Sequence, residues 1–237
     1  SWWKLMQDFF DLEQEEKNKY SYQTENNLGY SIVGAENVDP NGPKDMKESF
    51  NYNNTRMPEE LWPGDINGFR ATALQSIDIA DKLTLQILEK FDLILDSGTT
   101  LVDAHLRPYN TTRVIHYPAM KPTLDNQLRI GEHSDYGTIT LLWDINGVPG
   151  LEVQDIDGKW HHVPYVWNGV VVNIGDLLQR WTNDYFKSTK HRVNNDYCHV
   201  PRFSMPHFVD PTPGTIVENL LKEPNHYDPI ESKEYLM

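Results

Sequence analysis

The stretch Arg129-Ile130-Gly131-Glu132-His133-Ser134-Asp135-Tyr136-Gly137-Thr138-Ile139-Thr140-Leu141-Leu142 decides how this chain folds. Its two ends belong to the runs Leu128–His133 and Thr138–Trp143, both short and rich in apolar or β-branched residues. Each reads as a strand. Residues two apart on a strand face the same side, so His133 and Asp135 are expected to point together into the space that a closed sheet encloses. The pair alone is weak evidence. A second His-x-Asp, His226-Tyr227-Asp228, lies between Pro224 and Pro229 with no strand around it. It reads as ordinary surface.

Working outward, the runs Thr112–Tyr117, Leu151–Asp155, Lys159–Val163, Val170–Ile174, His191–Asn194 and Phe203–Val209 also read as strands. Asp157-Gly158 is a hairpin turn signal between two of them. One short helix, Leu177–Trp181, interrupts the series, with Asp176 as its expected N-cap. Roughly eight short strands in about a hundred residues suggest a double-sheet jelly roll or small barrel. Towards the N-terminus, Trp3, Met6, Phe9, Phe10 and Leu12 give Trp2 to about Tyr20 a helical apolar stripe. Residues 34–68 read as loop, with one short helix near Asp45–Asn51. A long helix spans Asn67 to Asp96, stopped by Ser97-Gly98. The expected class is α+β, a jelly-roll core with helices packed on one side.

Composition narrows the function. The chain has 237 residues, enough for a substantial core without a disulfide or zinc staple. Its single cysteine, Cys198, permits neither an internal disulfide nor a multi-cysteine metal site, and fits a reducing, cytoplasmic setting. A formal charge of −14 argues against nucleic-acid or anionic-membrane partners. The longest apolar runs, such as Val170-Val171-Val172, are far too short for a membrane span, and no signal-peptide run opens the sequence. The sequons Asn53-Asn54-Thr55 and Asn110-Thr111-Thr112 are therefore read as chance. The sequence carries no phosphate-binding P-loop, no His-Glu-x-x-His, no Gly-x-Ser-x-Gly and no dinucleotide fingerprint.

What gives His133 and Asp135 weight is the sequence that follows. His191-Arg192-Val193 begins another expected strand, and Arg202-Phe203-Ser204 begins the next. Two histidines and one carboxylate on a rigid β-core make the facial triad of non-haem Fe(II) oxygenases, which leaves positions open for a co-substrate and dioxygen. Arg202 and Ser204, two apart on a strand, offer a charged fork and a hydroxyl suited to a carboxylate.

These segments, with Val172-Asn173-Ile174-Gly175-Asp176-Leu177-Leu178 and Lys187-Ser188-Thr189-Lys190-His191-Arg192-Val193, resemble the Fe(II)/2-oxoglutarate-dependent dioxygenases. The likeness is to the isopenicillin-N-synthase-like branch and runs from about Thr112 to Phe208 in matching order. Upstream, Phe9-Phe10-Asp11-Leu12 with Glu15-Glu16-Lys17 resembles a helix end of that family. The resemblance implies a double-stranded β-helix over residues 111–210 as the catalytic core. Residues 1–110 would be a helical and loop part packed on it, and 211–237 a C-terminal tail, all one globular unit.

It further implies His133, Asp135 and His191 as iron ligands. Arg202 and Ser204 would hold the distal carboxylate of 2-oxoglutarate. Tyr117 would hydrogen-bond that co-substrate, Asn173 would lie beside it, and Phe208 would stack on the substrate. The implied reaction hydroxylates, desaturates or cyclises a small organic metabolite, using dioxygen and releasing succinate and CO2. Ascorbate is the expected accessory reductant, and the chain is expected to act as a monomer or weak homo-oligomer. The family's usual first strand and its closing C-terminal helix are not recognisable, and the chain begins Ser1-Trp2-Trp3, so it is expected to be a truncated member.

Two rival readings remain at this stage. One is an oxidase of the same branch that uses no 2-oxoglutarate. The other is a catalytically silent jelly-roll binding protein. Arg129 is expected to pair with an Asp or Glu or to bind substrate. Tyr136 should face away from the site. His105, His161, His162, His199 and His207 have no evident partner in the sequence, and Cys198 has no activating base nearby.

Overall fold

A computed structural model of the chain describes residues 2–38, 42–107, 109–221 and 224–236. The chain opens with α1 (Trp2–Phe10), the one-turn α2 (Gln14–Lys17) and a 3-10 turn, then β1 (Gly29–Ser31) and β2 (Glu48–Tyr52). Next come α3 (Phe69–Leu95) and α4 (Thr100–Ala104). The strands β3 (Thr111–Tyr117), β4 (Ile130–His133), β5 (Ile139–Asp144), β6 (Leu151–Gln154), β7 (Trp160–His162) and β8 (Val171–Ile174) follow. After α5 (Asp176–Trp181) come β9 (His191–Val193), β10 (Arg202–Val209), β11 (Ile216–Val217), β12 (Ile230–Glu231) and α6 (Ser232–Leu236). All eight strands expected between Thr112 and Val209 form.

They build two facing antiparallel sheets, the jelly roll expected from the sequence. The larger has the order β1-β2-β3-β10-β5-β8 and the smaller β4-β9-β6-β7. Ile115, Tyr117, Ile130, Leu151 and Val193 fill the space between them. On the outer face of the larger sheet, Phe50, Tyr52, Val114, Phe203 and Met205 pack on Met6, Phe9 and Phe10 of α1 and on Phe69, Ala73 and Ile77 of α3. Burying a side chain of this size contributes roughly 1.5–3 kcal/mol. Further along, Leu88 and Leu95 of α3 join Ile139, Leu141, Leu177, Trp181 and Val209. Asp92 also lies on this buried stripe. Its carboxylate accepts from the Leu101 and Val102 amides and from Ser97, and so caps the start of α4.

Four expectations need correction. The helix near Asp45–Asn51 is strand β2, buried along its whole length and paired with both β1 and β3. The N-terminal helix stops at Phe10, because Lys17 folds back to bond the Phe10 carbonyl (3.1 Å) and the buried Glu48 (2.9 Å). The N-cap of α5 is Gly175, with no side-chain cap from Asp176. Residues expected as a C-terminal tail pair as β11 and β12, and Leu220 N–H donates to the Trp181 carbonyl. Among the described residues, no helix is long and apolar enough to cross a membrane.

Candidate active site

His133 and His191 are register partners across β4 and β9, so the smaller sheet sets both rings side by side, 4.2 Å between centroids. Each Nδ1 faces a backbone carbonyl, Gly131 O at 2.9 Å and Thr189 O at 3.0 Å. A carbonyl only accepts, so Nδ1 carries the proton in both rings and Nε2 is left as a lone pair. The two Nε2 atoms lie 3.9 and 3.8 Å from one oxygen of Asp135, too far for a hydrogen bond. Two Nε2 atoms and a carboxylate oxygen thus converge, and one such atom from each residue lies within 4.8 Å of the others. This donor set fits a divalent cation of the two-His, one-carboxylate type.

Asp135 reaches this point from a loop, not from the shared strand face expected, because β4 ends at His133. The loop is fixed from beneath. The Asp176 amide donates to the Asp135 carbonyl, and the Leu177 amide to the carbonyls of Tyr136 and Gly137. Glycine is also required at 137 by the end of β10, where a Cβ would meet Val209 O at 2.7 Å. A Cβ on Gly175 would likewise strike the Gly137 carbonyl. Tyr136 turns outward, as expected, at 66% exposure.

The second carboxylate oxygen of Asp135 accepts from Asn173 at 2.8 Å. Asn173, expected beside the co-substrate, therefore bonds the Asp135 carboxylate, and Thr140 opposite it in the sheet adds a second hydrogen bond. Burial alone would raise the Asp135 pKa. The two imidazoles and these hydrogen bonds outweigh it and hold the carboxyl below its ordinary range. Burial, with His191 alongside, holds His133 well below the usual histidine value, so the ring stays neutral and ready to ligate.

Arg202 and Ser204 lie on the inner face of β10 opposite Tyr117 and Ile115 of β3, all four buried. The Tyr117 hydroxyl is 3.4 Å from Ser204 Oγ, and the Arg202 guanidinium lies 5.1 Å from the Tyr117 ring. Arg202 donates from Nε to the Val148 carbonyl and from Nη2 to Asp144. Its buried Nη1 has no partner among the described residues, which is a strong demand for an acceptor. Phe208 shares this inner face, paired with Thr111 on one side and Thr140 on the other. Arg129 finds neither the Asp nor the Glu expected. It is wholly buried, donates to the Val200 carbonyl, and leaves Nε and Nη1 unpartnered among the described residues.

Comparison with known proteins bears on the family. Residues 109–211 match the model of the 2OG-Fe(II) oxygenase superfamily, and residues 2–65 match that of the non-haem dioxygenase in morphine synthesis N-terminal region. The chain belongs to the 2OG-Fe(II) oxygenase superfamily. It is 31% identical to a full-length Neurospora crassa protein solved in complex with alpha-KG, with a TM-score of 0.88 over 99% of this chain and 79% of that one. A proline hydroxylase of Petromyces alliaceus is 34% identical over 78% of this chain and 63% of its own length. Validamycin A dioxygenase of Streptomyces hygroscopicus subsp. limoneus is 28% identical over 86% of this chain and 62% of its own length. The chain therefore spans less than two thirds of these two family members.

Sequence reasoning missed Thr140, whose hydroxyl bonds the Asp135 carboxylate. The signal was present, since alternation along Ile139–Leu142 turns Thr140 to the face opposite Ile139 and Leu141.

Proposed function

We propose that this protein is an Fe(II)- and 2-oxoglutarate-dependent oxygenase acting on a small organic molecule. The observation that carries the reading is the pairing of the converging His133–Asp135–His191 cluster with a buried arginine, Arg202, whose Nη1 has no acceptor among the described residues. His133, Asp135 and His191 would hold the iron. When bound, iron and 2-oxoglutarate supply the oxidising chemistry, in which dioxygen is consumed, succinate and CO2 are released, and a C–H bond of the substrate is oxidised.

The protein's own residues do the rest. The Gly131 and Thr189 carbonyls lock each histidine in the tautomer that presents Nε2. Asn173 and Thr140 fix the Asp135 carboxylate and keep one oxygen turned to the histidines. Arg202 Nη1 and the hydroxyls of Ser204 and Tyr117 would donate to the distal carboxylate of the co-substrate. Asp144 holds the guanidinium in place and balances its charge before that anion arrives. The alpha-KG held by the Neurospora crassa relative supports the choice of co-substrate. The lone, part-exposed cysteine supports a reducing, cytoplasmic setting.

Titration calorimetry with Mn(II) in place of Fe(II) tests the assignment. The wild type should bind 2-oxoglutarate, and Arg202→Ala should weaken it by about 10- to 100-fold, the loss of a charged hydrogen bond, with Mn(II) binding intact. Oxygen uptake with Fe(II) but independent of 2-oxoglutarate would replace this reading with that of an oxidase.

A further inference from the structure

Among the described residues, four cations are buried by this fold: Lys17, Lys47, Arg129 and Arg202. Three of them meet a carboxylate. Lys17 pairs with Glu48 at 2.9 Å and Arg202 with Asp144 at 3.1 Å. Lys47 pairs with Glu36, which also takes Arg113 of β3. Arg129 is the exception. Among the described residues it forms no ion pair, and the charged or titratable groups around it are Arg202, Tyr117 and Cys198. Its Nη2 donates to the Val200 carbonyl, while Nε and Nη1 are buried with no partner among the described residues. A buried cation with two unmet donors is a strong demand for an anion.

Holding the loop beside it does not account for Arg129. Residues 194–201 are anchored by other contacts: the Met120 amide donates to the Cys198 carbonyl at 3.0 Å, the Asn146 side chain to the Pro201 carbonyl at 2.9 Å, and the Asn195 side chain to the Gln127 carbonyl. What distinguishes the position is its neighbour. The Arg129 guanidinium lies 5.9 Å from the centre of the Tyr117 ring, and that of Arg202 lies 5.1 Å from the same centre. Both therefore stand around the one ring whose hydroxyl faces Ser204. Asp144 already balances Arg202, so Arg129 leaves this end of the barrel with one positive charge in surplus. The other carboxylate near Tyr117, Asp45, is engaged by the Val38 and Gly131 amides, and burial raises its pKa towards the neutral form.

Resting on the reading above, we propose that Arg129 is a specificity-determining residue for the co-substrate, whose charge makes this end of the barrel select a keto diacid over a keto monoacid. The distal carboxylate of 2-oxoglutarate carries one negative charge, which matches the surplus. Arg202, Ser204 and Tyr117 give the site its shape and its hydrogen bonds. Arg129 supplies the unbalanced charge, in a buried setting where a charge acts more strongly than in water.

The test is calorimetry on Mn(II)-loaded protein with 2-oxoglutarate, its diacid isostere N-oxalylglycine, and 2-oxopentanoate, which lacks the distal carboxylate. The wild type should bind both diacids more tightly than the monoacid. Arg129→Gln should weaken the diacids by about 10- to 100-fold, the loss of a charged interaction, and leave 2-oxopentanoate and Mn(II) within about 3-fold. Arg129→Lys should restore most of the preference. Cys198→Asp sets a carboxylate beside the intact arginine and should also lower the diacid preference, which keeps the idea testable if the Arg129→Gln variant does not fold. A purely structural arginine would instead weaken all three ligands together. That result, or a diacid preference that survives both Arg129→Gln and Cys198→Asp, overturns the proposal and leaves the parent reading standing. Failure of the wild type to bind either diacid would sink the parent reading itself.

Discussion

The six-stranded sheet carries Tyr117, Asn173, Arg202, Ser204 and Phe208 on a face backed by two layers of helix contacts. The four-stranded sheet carries His133 and His191, and its other face is a polar ladder of Glu132, Lys190, Glu152, Arg192 and Trp160. The first sheet gains its rigidity from apolar packing. The second relies on backbone pairing and on the loop that joins it to the first. Asp135 stands on that loop, so the His133–Asp135–His191 cluster forms only where the two sheets are held in register with each other.

The sharpest way to break this arrangement is at the joint. Asp135→Ala should abolish measurable Mn(II) binding in calorimetry and leave the circular dichroism spectrum unchanged. Residual binding would mean that the two histidines suffice. The helix-backed sheet should show its dependence on packing in Phe9→Ala, which opens a hole among Phe10, Phe50 and Phe69. Denaturant unfolding should report a loss of about 3–5 kcal/mol.

A pH experiment probes the same layer. His105 is 1% exposed and ties α4 to the start of β5, with Nδ1 on the Leu101 carbonyl and Nε2 on Thr138. Burial pushes its pKa down to about 4 from an ordinary 6.5. Between those values the unfolded chain takes up a proton that the folded chain refuses. Stability should therefore fall as the pH drops from 6.5 towards 4, and this contribution should be flat above 6.5. The share due to His105 is on the order of 3 kcal/mol, read as the slope that His105→Gln removes. On the solvent face of the smaller sheet, Lys190→Ala should cost less than about 1 kcal/mol, the usual scale for an exposed ion pair such as Lys190–Glu132. A larger loss would show that the polar ladder bears on the His133–Asp135–His191 cluster.

Much of this was legible in the chain itself. The strands from Thr112 to Val209 announced themselves by short β-branched runs and by the Asp157-Gly158 turn, where Gly158 has φ +80°. The apolar stripe of α3 was equally plain. Strand β2 was not, because Glu48, Ser49, Asn51 and the neighbouring Asp and Lys look like a solvated helix. They are buried since each polar group finds a distant partner: Glu48 with Lys17 and His116, Asn51 with Arg113. Asn173 was legible as a site residue but not in its role, which depends on a side chain from another part of the chain.

By itself the sequence determined the residue types of the candidate cluster, their order and the strands that carry its two histidines, because residue identity and local periodicity are written within a few positions. Tertiary structure alone decided how Asp135 is held, which oxygen faces the histidines, and that Arg113, Glu36 and Lys47 gather on one face. The physical reason is range. These contacts join positions tens of residues apart, and nothing local records a hydrogen bond whose two ends meet only when the sheets close.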